Sequence, residues 1–155
     1  MVAIQERRKR KSVTGGRLLH EYAPLYICAR NPMLYFLRNR HLEICVLQVS
    51  TDVLDLARVM IADGNAAANM TAFWRSPWGL AKIDRDVTFM ENWTDPDPIV
   101  YWRNKSAKCA EVLVPDRVDP RFIMGARVSC DQAGARVGAE IATIPVTKDE
   151  HLFFR

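Results

Sequence analysis

"YAPLYICARNPMLYFLRN", residues 22–39, places Arg30 and Asn31 between two apolar runs. Tyr22 to Ala29 reads as a buried strand, and Pro32 to Leu37 as the start of a helix. Asn31 suits the N-cap and Pro32 the first helical position, where a missing N–H costs nothing. Arg30 therefore stands at a strand–helix junction. There the free N–H groups of the helix start and an arginine fork can face one anion. The plainer alternative is a pairing of Arg30 with a carboxylate at the sheet rim.

Working outward, "LEICVLQVS" (42–50) has the aliphatic and β-branched content of a second strand. Ser50, Thr51 and Asp52 then offer caps for an amphipathic helix over "VLDLARVMI", with Val53, Leu54, Leu56, Ala57, Met60 and Ile61 on its apolar side. "DGNAAANMTAFW" (63–74) opens on a turn signal, and "IDRDVTFMENW" shows little regular pattern. "PDPIVYWRNKSAKC" predicts a short helix, whereas 110–115, 121–130 and 138–146 predict strands. Strands follow one another more often than they alternate with helices, which favours α+β over a doubly wound parallel sheet.

Composition limits the function classes. The 155 residues are 49% hydrophobic and 26% charged, within the ordinary globular range. No apolar run approaches the ~20 residues needed to span a bilayer, and no signal peptide opens the chain, so a cytoplasmic protein is expected. Four cysteines without a CxxC pair and three scattered histidines argue against a zinc site. No Walker loop, GxGxxG, GxSxG or HExxH occurs.

Charge is uneven. Residues 1–17 hold six basic side chains against Glu6, while the other 138 residues hold 16 bases and 17 acids. A basic leader over 1–17 is expected ahead of a domain over 18–155. It is either a solvated segment or an arm whose Arg7, Arg8, Lys9 and Arg10 contact nucleic-acid phosphates.

Glu111 is the second unusual residue. In "KCAEVLVP" both alternating faces are mainly apolar, so the strand is interior and its carboxylate shielded. A shielded carboxylate needs a partner, or belongs to a site that exploits desolvation. The aromatics Trp74, Trp78, Trp93, Tyr101 and Trp102 read first as core, and second as stacking platforms for single-stranded bases.

Together these segments resemble a known family. "LLHEYAPLYICARNPMLYFL" is similar to the "LHDYVPFYFxPRSPMLY" signature of DarT-type DNA ADP-ribosyltransferases. "DGNAAANMTAFW", "KCAEVLVPDRV" and "HLFFR" resemble three further family segments, in the same order. The resemblance implies an α+β fold of the ADP-ribosyltransferase (PARP-like) type, with a split antiparallel β-core and peripheral helices. It implies transfer of ADP-ribose from NAD, without a metal, to a base of single-stranded DNA, with thymine the more familiar acceptor. A toxin role and a macrodomain antitoxin partner follow from the same likeness.

Carried over by position, Arg30 and Glu111 match the family's catalytic arginine and glutamate. Arg30, Tyr35 and Asn65 are implied to contact NAD, and Trp74 and Arg75 to join the basic arm on DNA. Asn65 stands where several relatives carry a histidine. The family's opening "HiTh…NL" strand has no counterpart, so an N-terminally incomplete domain is expected. A weakened or non-catalytic nucleic-acid-binding remnant is the alternative function.

Overall fold

The computed structural model describes residues 6, 8–141 and 143–155. These divide into two units, one of Met1–Cys28 with Val53–Val118 and one of Ala29–Asp52 with Asp119–Arg155.

The first unit is built on a four-stranded antiparallel sheet in the order β1-β5-β3-β4. Its strands are β1 (Tyr22–Tyr26), β3 (Met60–Ala62), β4 (Phe73–Arg75) and β5 (Glu111–Pro115). β5 pairs with β1 through Tyr26 opposite Glu111 and with β3 through Ala62 opposite Glu111. It is thus an interior strand, as its two apolar faces predict, and Glu111 to Val114 are all buried. One core cluster gathers Val13, Leu19, Tyr22, Met60, Ala62, Ala66 and Leu113. Val13 lies inside the expected leader. Gly15 and Gly16, at φ 103° and 92°, turn the chain so that Ser12 bridges Leu18 and Val13 is carried into this core. Such φ values suit glycine because it has no Cβ to clash.

The second unit holds β2 (Val46–Val49), β6 (Ile123–Val128) and β7 (Val146–Lys148) in the order β2-β6-β7. β2 and β6 are antiparallel with an irregularity at Gln48/Val49, whereas β6 and β7 are parallel. Parallel neighbours need a crossover, and here the helix Asp131–Glu140 supplies it. This corrects the strand expected over 138–146: "DQAGARVGAE" contains three alanines, the best helix formers, and only Val146 of the expected span enters a strand.

Three other expectations are corrected. Residues 53–61 do not form one amphipathic helix. A 3-10 helix covers Thr51–Asp55, Arg58 takes φ 64°, and Met60 and Ile61 enter β3. The central position of β3 buries all three of its residues, which outweighs a helical spacing shared by chance. In the stretch without regular pattern, the helix Arg85–Phe89 forms, its start fixed by Asp84, whose side chain accepts the Val87 N–H. The helix expected after Asp97 is present as Pro98–Ala107. Of the clustered tryptophans, Trp93 is buried, while Trp74, Trp78 and Trp102 are exposed, against the core reading. Among the described residues, no helix is long and apolar enough to cross a membrane. No cluster of three or more His, Cys, Asp and Glu able to hold a metal occurs among them.

Candidate active site

Glu111 opens β5 and is 2% exposed. Its Oε1 accepts the Ala66 N–H at 2.9 Å, and its Oε2 accepts from Arg8 Nη1 at 3.3 Å. Burial raises the carboxyl pKa above the ordinary glutamate value, opposed by the Ala66 hydrogen bond and by the charges of Arg8 and Lys11. The hydroxyl of Tyr26, opposite Glu111 in register, is pushed up in turn by burial and by the negative charge of Glu111.

Ala66 is aimed by the turn that precedes it. Asp63 Oδ1 accepts the Ala72 N–H at 3.0 Å, and Asn65 Oδ1 accepts the Ala67 N–H at 3.0 Å. Asn65 N–H donates to Ser106 O, which anchors the turn to the end of the helix Pro98–Ala107. Gly64 packs closely on the helix end: a Cβ there would lie 2.8 Å from Ser106 Oγ and 3.2 Å from Ser106 O, so the Ser106 side chain would have to move. Asn65, expected at NAD, thus uses its side-chain oxygen to shape the turn that presents Ala66 to Glu111.

The expected DNA-contacting residues separate. Arg7 lies outside the described residues. Arg8 is not on an open arm: it is buried, it pairs with Glu111, and its Nη2 is buried without a hydrogen-bond partner. A buried guanidinium needs a carboxylate nearby, and the shielded glutamate supplies one. Lys9 and Arg10 are exposed, with Lys9 Nζ 2.9 Å from Glu6. Lys11 donates to Ala68 O and lies over the Phe73 ring at 5.1 Å. Trp74 and Arg75 are exposed on the edge strand β4, and Lys82 lies over the Trp74 ring at 5.2 Å.

The second unit carries Arg30 and Tyr35. Asn31 caps the helix Pro32–Phe36 as its sequence predicts, its side chain accepting the N–H groups of Met33 and Leu34. Arg30 Nη1 donates to His151 O at 2.7 Å, and its guanidinium lies 3.9 Å from the centre of the Phe154 ring. Phe154 meets Tyr35 edge-to-face at 5.1 Å, and Arg38 lies over the Tyr35 ring at 4.2 Å. Within its own unit Arg30 is held by an aromatic face and a carbonyl. Phe154 was not singled out in the sequence; its signal was the closing "HLFFR", quoted only as a segment. Arg8 and the Ala66 N–H were likewise missed as partners of Glu111.

A family model described as "ssDNA thymidine ADP-ribosyltransferase, DarT" matches residues 1–154. The chain belongs to the DarT family. One curated relative is a DNA ADP-ribosyl transferase–DNA ADP-ribosyl glycohydrolase fusion protein of Thermosipho africanus, 31% identical over 161 residues, which cover 98% of this chain and 39% of that protein. A DNA ADP-ribosyl transferase of Thermus sp. is 31% identical over 122 residues, which cover 72% of this chain and 56% of that one. The chain thus spans 39% and 56% of the length of these two DarT relatives.

Among solved structures, Thermosipho africanus DarTG in complex with ADP-ribose matches 99% of this chain and 41% of that one, with a TM-score of 0.82 and 31% identity. Thermus sp. 2.9 DarT in complex with ADP-ribosylated single-stranded DNA matches 98% of this chain and 78% of that one, with a TM-score of 0.83 and 25% identity. The fold is that of the DarT ADP-ribosyltransferases.

Proposed function

We propose that this chain transfers ADP-ribose from NAD to a base of single-stranded DNA, thymine by the family's description, and releases nicotinamide. The observation that carries this reading is Glu111, a buried carboxylate gripped by Arg8 and the Ala66 N–H on the central strand of a DarT-family chain.

In this reaction the bond from ribose C1′ to the nicotinamide nitrogen breaks, and its electron pair leaves with nicotinamide. Positive charge develops on the ribose as the bond lengthens. A carboxylate in a water-poor setting stabilises such charge far more than one in bulk water. A ring nitrogen of the base then attacks C1′, and Glu111 accepts the proton that this nitrogen loses. Arg30, fixed by His151 and Phe154, binds the anionic pyrophosphate of NAD or orients the acceptor base, with Tyr35 and Asn65 on the NAD side. Exposed Lys9, Arg10, Trp74 and Arg75 supply phosphate contacts and a stacking surface for the single strand. Arg7 is proposed for the same DNA contacts from the sequence alone.

The DarT fusion with a DNA ADP-ribosyl glycohydrolase in Thermosipho africanus supports a toxin role with a macrodomain antitoxin as partner; the cytoplasm is the place of action that goes with this proposal. The enzyme class is then a glycosyltransferase, with NAD as co-substrate and no metal.

The test is mass spectrometry of short single-stranded oligonucleotides incubated with NAD and either the natural protein or Glu111→Ala. One added ADP-ribose, seen with the natural protein alone, is the expected result. No adduct from a folded sample, together with salt-dependent DNA binding indifferent to NAD and Glu111, replaces the reading with a binding module.

A further inference from the structure

The proposed reaction needs Glu111 as a carboxylate, yet its burial favours the protonated form. Something must hold the charge in place. Among the described residues, three segments bring groups that act on it. Arg8 and Lys11 come from the first segment, Tyr26 from β1, and the Ala66 N–H from the turn after β3. Cys109 acts on Tyr26, and Asp63 on Lys11. Of the two cations, Arg8 alone is in direct contact with the carboxylate, at 3.3 Å, and both partners are almost fully buried. Lys11 donates instead to Ala68 O.

Arg8 is also a poor choice for stability alone. Its Nη2 is buried with no acceptor, a net cost to folding that an apolar side chain of similar volume would not incur. An arginine kept at such a cost, with one nitrogen on the proposed reacting carboxylate, has a task there.

We propose that Arg8 is the positioning residue of the reaction centre, whose guanidinium keeps Glu111 ionised and fixes the direction of its carboxylate. The catalytic half of this inference rests on the transferase reading above; the electrostatic half rests on the geometry of the first unit. The basic segment at the start of the chain is then divided by function. Arg8 turns inward to the glutamate, while Lys9 and Arg10 stay on the surface.

The experiment follows the carboxyl carbon of Glu111 by NMR in protein carrying 13C-labelled glutamate, the signal being assigned by its absence in Glu111→Gln. An opposite charge in contact favours the ionised form, so its removal raises the titration midpoint. Arg8→Gln is expected to move the midpoint up by about 1–3 pH units, whereas Arg8→Lys leaves it within about half a unit of the natural protein. The acid limb of kcat/KM for ADP-ribose transfer moves up in parallel in Arg8→Gln, which a purely structural role would not produce. An unmoved midpoint in Arg8→Gln, or lost activity on an unchanged pH profile, overturns the inference. A shifted midpoint in a protein without transferase activity upholds the electrostatic pairing and rejects the transferase reading instead. Should Arg8→Gln fail to fold at pH 8, the double variant Arg8→Gln/Glu111→Gln must fold, because neither member of the pair then carries a buried charge. Its failure to fold overturns the pairing.

Discussion

Replacing Asn31 by alanine removes one oxygen that does two jobs. Its Oδ1 accepts the N–H of Met33 at 2.9 Å and that of Leu34 at 3.0 Å, and the residue is 1% exposed. Loss of an N-cap side chain generally costs about 1 kcal/mol and at most about 2. Here the bond to Leu34 is buried, and a buried donor without a partner costs about 1–3 kcal/mol. The two routes describe the same loss, so the expected destabilisation is about 2 kcal/mol rather than their sum. For a chain of this size that lowers the melting temperature by about 4–8 °C. Thermal and urea denaturation followed by far-ultraviolet circular dichroism measure it. Asn31→Asp keeps an acceptor oxygen in the same place and adds a charge that suits a helix start, so it should recover at least half of the loss. An alanine variant within about 0.5 kcal/mol of the natural protein, or an aspartate variant no better than alanine, would refute the account of this junction.

Gly79→Ala is expected to cost about 1–3 kcal/mol, read as a lower urea midpoint, because the new Cβ would lie 2.6 Å from Ile61 Cβ and 2.8 Å from Trp74 Cβ, forcing β3 and β4 to shift. The pH dependence of stability is expected to carry the signature of Glu111. With its folded pKa raised above the unfolded value, the group's stabilising contribution is complete below the ordinary glutamate range and is lost as pH rises through the folded value. Stability measured between pH 4 and 7 should therefore fall in the natural protein relative to Glu111→Gln, by up to about 1.4 kcal/mol per pH unit; a flat or opposite difference contradicts the burial argument.

What the sequence revealed depends on the range of the forces involved. Asn31-Pro32 was legible because a helix start is fixed by neighbours within three residues. β5 was legible because its apolar faces need no knowledge of its partners, and the shielding of Glu111 followed from them. The 53–61 segment misled because Met60 and Ile61 satisfy a helical spacing with Val53 and Leu56. Pairing with Leu113 and Val112, some fifty residues away, and with Arg75 and Trp74 on the other side makes them strand. The helix Asp131–Glu140 was obscured by interrupting glycines, and its role as crossover appears only once β6 and β7 are seen to run parallel. Of the candidate site residues, Arg30 and Glu111 were named from local oddity and family likeness. Their surroundings were not. Arg8 reads as one base in a run of five, and nothing near it in sequence says that this one turns inward.

The Arg8–Glu111 pair also has a place in time. Its members are separated by 103 positions in the chain. At synthesis rates of about 5–20 residues per second, Arg8 is made roughly 5–20 seconds before the glutamate it faces. Throughout that interval the nascent polypeptide holds the arginine, and in its later part also Asn65 and the turn around Ala66, but lacks the carboxylate and the central strand that bears it. The proposed reaction centre therefore cannot be assembled on a half-made chain. On the function proposed above, translation itself delays the onset of activity until the glutamate and its strand are made.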